Sequence, residues 1–147
     1  MKLEQRFSVI TIAAAYPERL QSFYEKVLGW SVLTANKDIA FFKLNGFLLS
    51  ICDRKILADF IGISPEGEGF RAVTIAYNVA AKDEVLKLYD QLKGKVNILK
   101  EPAEAPFGGF FFYFTDIEGN IIEVAHNPFI TLDESMNAIN HDSIAHL

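Results

Sequence analysis

Glu123 is a carboxylate set inside an apolar strand-like run, between Ile122 and Val124. A carboxylate placed there loses hydration unless it is paired or hydrogen-bonded. Two readings stand side by side. In one, Glu123 faces a cavity, where it binds a polar group of a ligand or takes a proton as a general base. In the other it is structural, satisfied by the hydroxyls of Thr74 or Ser50. Upstream, Phe107 and Phe110 to Phe114 form an aromatic strip whose one polar-tipped member is Tyr113. Alternation along a strand sends some of these rings into the core and others towards a cleft. Rings lining a cleft, with Phe112 the first candidate, favour a planar or apolar ligand held by stacking.

The other reactive side chains offer less. Cys52 stands alone in an apolar strand, which reads as a buried, inert thiol rather than a nucleophile and fits a reducing cytoplasm. His126, His141 and His146 fall at or after the end of the last core strand. His126 and Glu123 are three residues apart, so a straight strand points them to opposite faces and they do not join as metal ligands. No helix follows Gly108-Gly109, so the pair marks a bulge or tight turn rather than a phosphate loop. No Ser/His/Asp or Cys/His arrangement can be built from this sequence.

The elements that position Glu123 occur twice. Phe23-Tyr24 lies on a predicted helix ending at Leu28-Gly29, and Leu88-Tyr89 on one ending at Lys93-Gly94, with the same offset at both points. Each helix follows an apolar strand, 7–13 or 71–79, and precedes three further strand-like runs. Those runs lie near 30–35, 38–44 and 47–52 in the first copy, and near 95–100, 109–114 and 120–125 in the second. Each copy closes on a glycine and aliphatic residues, Gly46-Phe47-Leu48-Leu49 and Gly119-Asn120-Ile121-Ile122. Pro17 opens the first helix at a position where its missing N–H costs nothing. Asn45-Gly46 and Asp116 to Asn120 are hairpin turns. On 7–13, Ile10 and Ile12 oppose Val9, Thr11 and Ala13. On 71–77, Val73, Ile75 and Tyr77 oppose Ala72, Thr74 and Ala76. The bulky faces pack under the helices, and the small faces leave room on the other side.

These runs organise a single domain, 1–147, as module one (7–53), connector (54–70), module two (71–126) and a polar C-terminal tail (127–147). Within the connector, Lys55 to Phe60 forms one helical turn, followed by the breaker-rich Pro65-Glu66-Gly67-Glu68-Gly69. The tail packs loosely or reaches a partner subunit. The 147 residues suffice for a core without disulfides. A net charge of −5 without a basic cluster argues against nucleic acid. No apolar run approaches the roughly 20 residues of a membrane span, and Met1 to Arg6 lacks the pattern of a signal peptide. The expected location is cytoplasmic.

Phe23-Tyr24-Glu25-Lys26-Val27-Leu28-Gly29-Trp30 and the hairpin from Phe107 to Pro128 resemble the vicinal oxygen chelate superfamily, which includes glyoxalase I, extradiol dioxygenases and bleomycin-resistance proteins. The closing Glu123-Val124-Ala125-His126-Asn127-Pro128, with Asn78-Val79 and Asp83-Glu84-Val85, is similar to a glyoxalase-like branch of it. The resemblance spans roughly residues 7–130. It implies an α+β fold in which two βαβββ modules form an eight-stranded, U-shaped mixed sheet around a cleft, commonly in a homodimer. In the metal enzymes each module gives a ligand from its first and its last strand. Those positions fall here on Val9, Ser50, Thr74 and Glu123, which are expected to converge on one cleft. Val9 cannot bind a metal, and neutral Ser and Thr oxygens are weak donors to Zn²⁺, Ni²⁺ or Fe²⁺. No metal and no cofactor is therefore expected.

The expected function is a metal-free binder of a small hydrophobic or aromatic molecule in the cleft between modules. The candidate ligand-binding residues are Val9, Thr11, Ser50, Thr74, Phe112, Tyr113 and Glu123. The alternative is a lyase or isomerase of the glyoxalase type, with Glu123 as catalytic base or lone metal ligand. Expected partners are a small molecule and a second copy of the chain, with no nucleic acid and no membrane.

Overall fold

The computed structural model describes residues 5–71, 73–106 and 108–146. Met1 to Glu4, Ala72 and Phe107, which entered the reading above, lie outside the described residues. The chain forms two compact units that divide between Gly69 and Phe70. The boundary falls inside the expected connector, most of which belongs with the first unit.

The first unit runs β1 (Val9–Ala14), α1 (Pro17–Lys26), β2 (Val32–Ala35), β3 (Ile39–Lys43), β4 (Leu48–Asp53) and α2 (Arg54–Ile61). Its sheet has the order β1-β4-β3-β2, with β1 parallel to β4 and the other neighbours antiparallel. Pro17 opens α1, and Leu20, Phe23 and Tyr24 recur on one side of it and are buried. Gly29 stops the chain from continuing as helix, at φ +73°, a left-handed conformation that costs a side-chain-bearing residue about 1–2 kcal/mol. The Tyr24 ring lies 5.3 Å from Trp30 and 5.8 Å from Phe42. Phe42 pairs with Leu49 and Ile10 with Leu49, so Ile10, Ile12, Leu49 and Ile51 share the helix-covered face. The bulky residues of β1 thus lie on the face where alternation places them, with Ile12 half-buried and Ile10 still exposed.

The expected single turn after β4 is a two-turn helix, α2. Asp53 caps it by accepting from the Lys55 and Ile56 N–H groups at 2.9 and 3.0 Å, and Gly62 ends it at φ +89°. Both signals flank the segment at the spacing of a short helix.

The second unit repeats the plan with β5 (Thr74–Asn78), α3 (Lys82–Leu92), β6 (Asn97–Glu104), β7 (Phe110–Thr115) and β8 (Ile121–His126), in the order β5-β8-β7-β6. Glu84 caps α3 by accepting from the Ala81 N–H at 2.9 Å. β6 continues past the expected end at Lys100 and through Pro102. It can do so because it is an edge strand and its register with β7 shifts between Lys100 and Ala103.

The C-terminal segment corrects the expectation of a loose tail. It forms a hairpin of β9 (Ile130–Leu132) and β10 (Ala138–His141), on which Phe129 and His141 stack at 6.0 Å. Its turn copies the one between β7 and β8. Asp116 accepts from the N–H groups of Glu118 and Asn120 and from the Asn120 side chain. Asp133 accepts in the same way from Ser135, Asn137 and the Asn137 side chain. The fourth residue of each turn is left-handed: Gly119 in the first, at φ +82°, and Met136 in the second, at φ 64°. Met136→Gly should therefore raise stability by about 1 kcal/mol, since the left-handed penalty on Met exceeds the entropy a glycine adds to the unfolded chain. A denaturation midpoint that does not move, at unchanged slope, would show that this turn carries no strain.

Candidate functional site

The faces of the second sheet assign the site. Phe112 packs at 5.4 Å from the Tyr89 ring of α3 and is completely buried. It pairs with Val124, so Phe110, Phe112, Phe114, Ile122 and Val124 face the helix. This corrects the choice of Phe112 as a cleft ring. The opposite, open face carries Glu123, with Tyr113 directly across β7 and Ala76 directly across β5. Thr74 lies on that face too, but opposite Ile121, one step away from Glu123.

The hydroxyl that meets Glu123 is thus that of Tyr113, rather than Thr74 or Ser50. Burial raises the Tyr113 pKa first, and the charge of Glu123 and the hydrogen bond to it raise it further. The phenol therefore stays protonated at neutral pH and donates to the carboxylate. Phe111, also on the open face, sits edge-on to Tyr113 at 5.5 Å.

Glu123 opens into a pocket of about 130 Å³. Ala76, Phe111 and Ala125 supply its apolar walls, and Asn78, His126 and Asn127 add polar groups at one end. Ile130, from the C-terminal hairpin, closes part of it. Nδ1 of His126 lies 3.4 Å from the Val79 carbonyl, and Oδ1 of Asn127 accepts from the Phe129 N–H at 2.9 Å. Asn78 continues the Thr74 and Ala76 face of β5, whereas Asn127 and Ile130 line the pocket in a way that alternation along the strands does not reveal. The loop after β8 and the following hairpin bring the last two to β5.

In the first unit, Thr11 pairs directly with Ser50, and Val9 with Leu48, so all three candidates share the face away from α1. Val9 and Thr11 are exposed, whereas Ser50 is buried and its hydroxyl has no hydrogen-bond partner among the described residues. An unsatisfied buried hydroxyl costs about 1–3 kcal/mol. Cys52, two residues on, is buried, and burial followed by the charges of Asp53 and Asp38 raises its pKa. It remains a thiol, as expected of a structural cysteine. A larger cavity, of about 360 Å³, lies between Tyr16 and the start of α2. Of its two cations, Arg54 and Lys55, Arg54 is committed to the backbone carbonyls of Pro65 and Gly67, so it braces the connector rather than presenting its charge to a ligand.

The donor set does not fit a transition metal. Among the described residues no three His, Cys, Asp or Glu side chains group as a metal site requires, and the hydroxyls near Glu123 are weak donors. No helix among them is long and apolar enough to cross a membrane.

The chain matches the Glyoxalase/Bleomycin resistance protein/Dioxygenase superfamily over residues 6–124. No curated protein matches it. Among solved structures, it is similar to a glyoxalase-related enzyme from Fulvimarina pelagi, with 27% identity, a TM-score of 0.84, and 94% of this chain and 99% of that chain covered. A glyoxalase/bleomycin resistance protein/dioxygenase from Nocardioides aligns at 19% identity and a TM-score of 0.76, over 86% and 85% of the two chains. Lactoylglutathione lyase from Agrobacterium tumefaciens aligns at 18% and 0.67, over 85% and 96%. The last two share the fold alone.

Proposed function

We propose that this chain, which belongs to the glyoxalase/bleomycin resistance protein/dioxygenase superfamily, binds a small apolar or aromatic molecule without a metal, through the pocket that holds Glu123. One observation carries the reading: a half-buried carboxylate, steadied by the Tyr113 phenol, stands in a pocket walled by Ala76, Phe111 and Ala125. Apolar walls with a few polar anchors are the usual make-up of a small-molecule site. The hydroxyls and single carboxylate cannot supply the tight metal site that the metal enzymes of such a family require.

A thermal-shift screen of small aromatic compounds, repeated on Glu123→Gln, tests this. The variant keeps the shape of the side chain and removes its charge, so the fold should persist. Hits should lose about ten- to a hundredfold in affinity, the worth of a charge-assisted hydrogen bond at about 1.5–3 kcal/mol. Hits that bind the variant as tightly as the native chain would place the ligand elsewhere. The same carboxylate supports a lyase or isomerase as second reading, with Glu123 as base. Conversion of a screened compound that stops in Glu123→Gln would decide for that reading.

A further inference from the structure

We infer that the group this pocket anchors is a small protonated amine. The inference rests on the proposed ligand pocket and adds the charge of its ligand. Glu123 meets one neutral donor, the Tyr113 phenol. The ion pairs among the described residues, Lys37–Asp38, Lys82–Glu104 and Lys93–Asp90, all leave it out. A carboxylate can accept about four hydrogen bonds, and a phenol supplies one. Its neighbours across β5 and along β8, Ala76 and Ala125, have no side-chain donor to give. The remaining oxygen lone pairs therefore suit a ligand that brings several N–H groups and a positive charge.

The aromatic wall points the same way. Phe111 shares the face of Glu123, and Lys100 already holds its ammonium 5.7 Å from the centre of that ring. The ring face thus accepts an ammonium, as the negative face of an aromatic quadrupole does. Lys100 stands on the same face beyond Tyr113, is exposed and forms no ion pair with Glu123, so the carboxylate has no cation in contact with it. An anionic ligand would meet the Glu123 charge with no cation of the pocket to offset it. A neutral alcohol would gain one hydrogen bond and no charge. At about 130 Å³ the pocket has room for an ammonium and a ring edge, but not for a drug-sized molecule. The net charge of −5 favours the approach of cations.

Calorimetric titration of the full chain with benzylamine, benzyl alcohol and benzoate at neutral pH and low salt tests this. Benzylamine should bind about tenfold tighter than benzyl alcohol, with benzoate weakest. In Glu123→Gln the preference for the amine over the alcohol should vanish, while Lys100→Ala should retain it. Equal binding of amine and alcohol to the native chain, with both weakened in Glu123→Gln, would overturn the cation and leave the pocket standing. Indifference of all three compounds to Glu123→Gln would overturn both. An amine preference that survives in Glu123→Gln, or no measurable amine binding, would also overturn the cation.

Discussion

Phe112→Ala is expected to cost about 3–5 kcal/mol of stability and to leave binding at Glu123 in place. The ring has no exposed surface, lies 5.4 Å from Tyr89 and stacks at 6.1 Å on Phe114, under α3. Truncation there loses apolar burial and opens a cavity that rigid neighbours on helix and sheet cannot close. Glu123 projects from the other face of the same sheet, so its pocket loses no wall. Chemical denaturation gives the stability change, and titration of any screened ligand gives the binding change. A variant near native stability that binds poorly would return Phe112 to the site and invert the facing of β7. Phe111→Ala is the contrasting substitution: a half-exposed ring on the open face, whose loss should weaken the ligand more than the fold.

That inversion shows how far the sequence could be read. Alternation correctly separates Phe110, Phe112 and Phe114 from Phe111 and Tyr113, but aromatic rings occupy both sets, so composition alone does not say which set is core. The turn held the missing information. A tight connection through Asp116 and Asn120 pairs Thr115 with Ile121, and counting outward from it brings Tyr113 opposite Glu123. Residues directly opposite in an antiparallel pair share a face, so Phe112 had to lie on the other. The repeated helices and first strands were legible because long apolar periodicities have few competing readings. The pocket contributions of Asn127 and Ile130 were not, since they depend on how the segment after β8 folds back. The last hairpin was missed because β9 and β10 are only three and four residues long, too short for a clear periodicity. Its one local signal was Asp133 and Asn137 at the spacing of Asp116 and Asn120.

Those two turns make a controlled comparison, and Asp116→Ala should cost on the order of 3 kcal/mol, far more than Asp133→Ala. Both carboxylates accept two backbone N–H groups and an Asn side chain, at 2.8–3.0 Å for Asp116 and 2.9–3.0 Å for Asp133. They differ in burial: Asp116 is 3% exposed, whereas Asp133 is only half-buried. Removing Asp116 strands donors where water cannot easily replace it, while water reaches the donors around the less buried Asp133 more readily. The Asn137 side chain, then the N–H groups of Asn137 and Ser135, hold the Asp133 carboxyl below its ordinary range. A depressed folded-state pKa means that this contribution is fully present above the unfolded carboxylate value of about 3.9 and is lost as pH falls through the lower folded value. Amide exchange at Asn137 should accelerate over that acid window in the native chain, relative to the intrinsic rate, and show no such step in Asp133→Ala. Equal losses of stability in Asp116→Ala and Asp133→Ala would show that the hydrogen bonds, rather than the burial around them, set the cost, and that the turn closing β7 onto β8 holds Tyr113 against Glu123 no more firmly than a less buried one would.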